Sequence, residues 1–406
     1  MSLIARLRTQ TSLFSTLDNS LTLSEYQDFS LRTNKSNRTG VDDIGFFLLG
    51  LFGETGSLLS EIKKKQRDTV AYTAYAASVV EELGDVLWYF TAIASHAGLK
   101  LDVIAQNAAS TLGSWGYEGA PIPQRFADLQ SPLRAFSGPA PAGGIETSLL
   151  MLAGKVGTLV DDYASGRISS NKDALSAHLL EIYRLIVRSA DSADVRLEDA
   201  ALRNLDKIYG RWPVELDYGS LYDDAFDADE QIPRRIVVAF TEKTIGSKKY
   251  VLQKSNGINI GDRLTDNRLE EDDYRFHDVF HLGYAAILGW SPVVRALFRV
   301  KRKSDARVDE TQDGARAILI EEGIATWIFN HGLRNKCFEG VSTLDYSLLK
   351  AVQELVRGYE VESRPAWQWE KAILSGFSAF RMLQRHRRGT VVADLTARSL
   401  TYEESQ

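Results

Sequence analysis

Apolar positions between residues 21 and 112 recur at intervals of three and four, the period of a helix with one buried stripe. Four stretches carry the pattern: LTLSEYQDFSLRT, DDIGFFLLGLFGETGSLLSEIKKKQ, VVEELGDVLWYFTAIA and LKLDVIAQNAASTL. Residues 113–144 break it with GSWGYEGAPIPQ and SGPAPAGG, where Gly and Pro read as linker. Helical periodicity returns from Ile145 to about Tyr209. A polar, aromatic and acidic stretch, WPVELDYGSLYDDAFDADEQ, then precedes RRIVVAF and KKYVLQ, two short runs that read as strands, with SNGINIGD as turn material. From Tyr274 to about Gln384 the pattern is helical again, and the tail after it gives no strong signal. The predicted fold is mainly all-α, with a small β insertion, a hairpin at about residues 232–260.

Composition adds limits rather than a function. The net charge of −6 implies no polyanion partner, and no clear nucleic-acid site stands out. The single cysteine, Cys337, excludes an internal disulfide framework and suits a reducing compartment. The opening MSLIARLRTQTSLFS lacks the apolar core of a signal peptide, and no apolar run is long enough to cross a bilayer. The expectation is a soluble cytoplasmic protein with no membrane partner.

The chemistry begins with acids set into apolar helices. Glu81, Glu82 and Asp85 interrupt VVEELGDVLWYF, and a bare carboxylate is costly to bury unless paired or bound to metal. Glu82 and Asp85 are three apart and share a helix face, whereas Glu81 reads as pointing elsewhere. Glu54 and Glu61, seven apart, share a face of the preceding helix. If the two faces pack together, the acids need a cation between them, and oxygen ligands suit Mg²⁺. The competing reading is a set of solvated acids on amphipathic helices; the apolar neighbours of Glu82 and Asp85 count against it.

GLFGETGSLLSEIKKK followed by EELGDVLWYF resembles the MazG-type all-α nucleoside triphosphate pyrophosphohydrolases, as does LTLSEYQDFSLRT as an entry helix. The resemblance covers about residues 20 to 112. It implies an ExxE pair and an ExxD pair that hold Mg²⁺ (or Mn²⁺), with water attacking between the α and β phosphates. Carried over, Glu54, Glu82 and Asp85 are metal ligands, and Glu61 or Glu81 orients or deprotonates the water. Ser57 stands where the family has the second acid of the first pair.

The middle segment repeats the first. Leu51–Leu58 lines up with Leu152–Leu159, and AGLKLDVIAQNA with ADVRLEDAALRN. Between these anchors Glu54 falls on Lys155, Glu82 on His178 and Asp85 on Glu181, a poor Mg²⁺ set. MazG-type proteins usually dimerise, and a tandem copy offers that partner within one chain. The family also carries Asn, Lys and Arg on a later helix facing substrate. In the first copy that helix has Asn107 and no following base; in the second it has Asn204, Lys207 and Arg211 on one face. The expectation is one composite site, acids from the first copy and substrate-binding bases from the second. The alternative is that Lys207 and Arg211 are surface cations ending a helix.

The third segment resembles the C-terminal domain attached to some MazG-type proteins, a resemblance that assigns no reaction. His277 and His281 are four apart, the spacing of metal-binding helical histidines. With Asp278, Glu321 and Glu322 they suggest a second polar pocket, and Lys301, Arg302 and Lys303 a basic cluster able to meet phosphates. The alternatives are core histidines and a solvated basic loop. Trp367 and Trp369 read as core.

The domain reading is therefore 1–112, a MazG-like repeat with the acidic site; 113–144, linker; 145–213, a degenerate second repeat; and 214–406, the helical C-terminal domain. The expected function is Mg²⁺-dependent hydrolysis of a nucleoside triphosphate to monophosphate and pyrophosphate, by a homo-oligomer, in nucleotide housekeeping or phage defence. The alternative is a nucleotide-responsive binding or regulatory protein in which Ser57 marks lost catalysis.

Overall fold

The computed structural model describes residues 20–34, 44–111, 124–130, 144–168 and 171–404, together with Ile4 and Leu7. Apart from residues 124–130 and Gly144, the linker stretch lies outside the described residues. The chain divides into two compact units, Met1–Trp212 and Pro213–Gln406.

The first unit contains α1 (Leu23–Arg32), α2 (Gly45–Asp68), α3 (Tyr75–His96), α4 (Leu101–Thr111), α5 (Gly144–Ala164), α6 (Lys172–Ser192) and α7 (Leu197–Arg211). α1 starts at a capping box: the Thr22 hydroxyl accepts from the Glu25 amide while Glu25 accepts from the Thr22 amide. Leu51, Leu87 and Phe90 of α2 and α3 share one core with Leu152, Leu179 and Ile186 of α5 and α6.

The triplets α2–α3–α4 and α5–α6–α7 turn alike. Gly98 after α3 and Asp194 after α6 both take positive φ, 70° and 55°. In both turns the next amide reaches back five residues, Leu99 to Ala94 and Val195 to Ala190, each at 2.9 Å, closing the helix end. The triplets also pack reciprocally: α2 on α5, α3 on α6, α3 on α7 and α4 on α6. Each surface meets its own counterpart, the pattern a local two-fold produces between identical subunits.

The second unit holds β1 (Arg235–Ile245), β2 (Lys248–Ser255), β3 (Ile258–Asn259), α8 (Asp278–Leu288), α9 (Pro292–Phe298), α10 (Ala306–Thr311), α11 (Ala315–Arg334), α12 (Tyr346–Leu355), α13 (Ala366–His386), β4 (Arg388–Asp394) and β5 (Ser399–Glu403). The hairpin expected at 232–260 proves to be part of a larger antiparallel sheet, ordered β3-β2-β1-β4-β5. The tail, which gave no sequence signal, supplies β4 and β5. A lone hairpin is marginal in water, and β1 needs a partner on its second edge. Ile236 pairs with Ala393 and Val238 with Val391, burying both strands' inner faces. Every residue of α8 from Val279 to Leu288 is buried, and α8 packs on α13, β4 and β5. Trp369 is fully buried and Trp367 nearly so. No helix among the described residues is long and apolar enough to cross a membrane.

Candidate metal centre

α3 crosses α7 at Gly84. A Cβ at that position would lie 2.6 Å from the Ala200 carbonyl oxygen and 2.9 Å from Asn204 Cβ. The missing side chain lets the helices approach until the buried Asn204 reaches Asp85, donating from Nδ2 to Oδ1 at 2.9 Å. The amide oxygen of Asn204 accepts from the Tyr26 hydroxyl at 3.2 Å, which fixes which end of the amide faces Asp85. One turn on, Lys207 Nζ donates to Asp85 Oδ2 and lies 3.4 Å from Glu81 Oε1. Gly84 was not singled out from the sequence. Its signal was there, an isolated glycine inside an apolar helix, where close packing is one common reason.

Glu54 of α2 and Glu82 and Asp85 of α3 come together. One oxygen from each lies within 4.8 Å of the others, and all three residues are partly buried. Burial raises the pKa of each above its ordinary value. Glu54 is raised by burial and then by Asp85, with Ser57 hydrogen-bonding in partial relief. Glu82 is pushed up to about 7 by burial, then by Glu54 and Asp85. Asp85 is raised by burial despite the opposing Lys207 and Asn204. Three oxygen donors that repel one another in a half-dry site fit a hard divalent cation.

Two expectations change in detail. Glu81 does not point away from this group: four residues before Asp85, it shares that residue's face and approaches the same ammonium. Glu61 is not with the clustered acids; it accepts from Lys64 at 2.6 Å and from the Tyr72 hydroxyl. The guanidinium of Arg211 lies over the Trp212 ring, 4.6 Å from its centroid.

At the counterpart positions of the second triplet, His178 Nε2 lies 2.7 Å from Asp162, and Glu181 pairs with Arg184 one turn along its own helix. The shared turns at Gly98 and Asp194 carry the sequence alignment into the last helices unchanged. With Gly98 on Asp194, Asn204 falls on the buried Ala108 rather than on the exposed Asn107.

In the second unit, His277, Asp278 and His281 form another such group, again within 4.8 Å. Glu322 joins it, with Oε2 3.4 Å from His281 Nε2 and 3.8 Å from His277 Nε2. Glu321 stands behind, accepting from His281 Nδ1 at 2.8 Å. The basic cluster does not form a phosphate patch. Arg302 is buried and bound to both carboxylates of Asp313 and Glu360, at 2.6 and 2.8 Å, leaving half-buried Lys301 and exposed Lys303 on either side. A guanidinium so deeply placed must be paired, and these two acids take its donors.

Comparison with known proteins finds a domain match in this second unit. Residues 217–406 match the MazG C-terminal domain. A stretch of 76 residues is 28% identical to the Gene 37 protein of Mycobacterium phage L5, covering 18% of this chain and 67% of that protein. No solved structure matches the chain. The domain match spans nearly all of the second unit.

Proposed function

We propose that the first unit is a Mg²⁺-dependent nucleoside triphosphate pyrophosphohydrolase. The observation that carries this reading is the meeting of clustered Glu54, Glu82 and Asp85 with the Lys207 ammonium across the α3–α7 crossing. Glu54, Glu82 and Asp85 would hold the ion. An ion held there would supply Lewis-acid polarisation of phosphate oxygens and lower the pKa of water. Lys207 contributes a cation to a triphosphate whose charge exceeds that of one Mg²⁺. Asn204, held by Tyr26, fixes the orientation of the Asp85 carboxylate. Glu81, one turn before Asp85 and beside the Lys207 ammonium, is the candidate to take the proton from water; Glu61 lies outside the clustered acids.

The test is Mg²⁺-dependent release of pyrophosphate from a panel of nucleoside triphosphates by the full chain, with monophosphate as the second product. Asp85→Asn should abolish turnover. Lys207→Ala with Arg211→Ala should raise KM steeply while Mg²⁺ binding persists. Release of inorganic phosphate with the nucleoside diphosphate instead, or full activity in Asp85→Asn, would refute the assignment. Ser57, where the family has an acid, favours a second reading as a nucleotide-responsive binding protein. Tight nucleotide binding with no turnover is the outcome belonging to that reading.

A further inference from the structure

The ring nitrogens of His277 and His281 are sorted by their neighbours. His277 Nδ1 lies 2.9 Å from the Tyr274 carbonyl oxygen, which can only accept. His281 Nδ1 lies 2.8 Å from Glu321 Oε1. Glu321 is itself held as an acceptor: the Ser291 hydroxyl donates to Oε1 at 2.6 Å and the Val293 amide to Oε2 at 2.8 Å. Both histidines therefore carry their proton on Nδ1, and both Nε2 lone pairs face the same small volume.

What faces them is also an acceptor. His277 Nε2 has Asp278 Oδ1 at 3.2 Å, and His281 Nε2 has Glu322 Oε2 at 3.4 Å. His281 Nε2 is buried and makes no hydrogen bond. Lone pairs placed against carboxylate oxygens require a positive charge between them. A proton bridges one pair of atoms, whereas here ligand atoms of His277, Asp278 and His281 lie within 4.8 Å of one another and Glu322 Oε2 approaches both imidazoles. A tetrahedral ion with bonds of about 2.0–2.1 Å holds its ligand atoms roughly 3.3–3.4 Å apart. The observed spacings of 3.2, 3.4 and 3.8 Å bracket that value.

The outer contacts match as well. Ligating histidines characteristically give their other N–H to a carbonyl or carboxylate, and ligating carboxylates are themselves hydrogen-bonded. Tyr274 and Glu321 serve the two rings, and buried Gln253 of β2 donates to Asp278 Oδ2. The group is built on a rigid frame, since α8 is buried from Val279 to Leu288 and Glu321 is buried in α11. Glu322 is the most open of the four, its side chain 38% exposed, which gives an ion a way in.

We propose that His277, Asp278, His281 and Glu322 form a site for a divalent transition metal of the Zn²⁺ class, with Glu321 and Gln253 as positioning residues. Two imidazoles distinguish it from the all-oxygen group of the first unit, so the two sites select different ions.

The experiment is titration of the chelator-treated full chain with Co²⁺ and Zn²⁺. One equivalent of Co²⁺ should produce visible ligand-field bands, and Zn²⁺ should abolish them. His277→Ala and His281→Ala should each weaken Zn²⁺ binding at least about 100-fold, and Glu321→Gln about 10–100-fold. Asp85→Asn in the first unit should leave Zn²⁺ binding here unchanged. Equal Zn²⁺ affinity in the wild type and a folded His281→Ala variant overturns the proposal. Absence of Co²⁺ bands from the wild-type chain overturns it too, whether or not the histidine variants fold.

Discussion

Replacing Glu82 by Gln keeps the shape of the side chain and removes one of three crowded charges. Without metal, the Glu82 carboxyl is pushed up from 4.5 to about 7, first by burial, then by Glu54 and Asp85. At about 1.36 kcal/mol per pH unit this corresponds to roughly 3 kcal/mol. Water reaching a half-buried carboxylate reduces the effect to about 1–2 kcal/mol. The folded state binds this proton more tightly than the unfolded chain does. Stability therefore falls as pH rises from about 4.5 to about 7, and the full cost is present above that window. In EDTA at about pH 8, Glu82→Gln should raise the melting temperature of the first unit, by about 2–4 °C per kcal/mol for a unit of this size. At about pH 4 the two proteins should melt together. Added Mg²⁺ should reverse the order: it stabilises the wild type increasingly as pH rises, because its ligands must be deprotonated, and the Gln variant much less. Differential scanning calorimetry with and without Mg²⁺ across this range reads all three effects. A variant less stable than wild type in EDTA at about pH 8, or equal Mg²⁺ stabilisation of both proteins, would refute a crowded carboxylate site.

Two further substitutions probe the supports. In a solvent-facing helix Gly→Ala is stabilising by about 1 kcal/mol, but Gly84→Ala should destabilise the first unit by about 1–3 kcal/mol in urea denaturation. Its Cβ would stand 2.6 Å from the Ala200 carbonyl oxygen, so α3 and α7 must separate and Lys207 draw back from Asp85. Arg302→Ala should lower the stability of the second unit by about 3–5 kcal/mol, because Asp313 and Glu360 lose their buried partner. Nucleotide affinity should not change, and a matching loss there would restore the phosphate-patch reading of Lys301–Lys303.

The helices were legible because their cause is local. A stripe of apolar residues at a spacing of three and four identifies a helix and its inward face wherever the helix later packs. The same spacing put Glu82 and Asp85 on one face, and also Glu81 with Asp85, a relation legible four residues apart yet passed over. His277 and His281 were likewise legible as a pair along one helix. Which partner meets each face is a different question, because contact distances depend on backbones far apart in sequence. Only the packed structure brings Lys207 and Asn204 onto Asp85, through the absence of a Cβ at Gly84. It also pairs β4 with β1, turning the chain's last residues into sheet, since edge hydrogen bonding rather than local pattern decides that pairing. Tertiary structure likewise hid Arg302 between two acids and set Glu321 behind His281. The sequence by itself determined which residues can face inward. Burial and close approach of distant segments decided which charges need a partner and which partner they have, because a charge's cost depends on the water and charges around it, not on its neighbours in the chain.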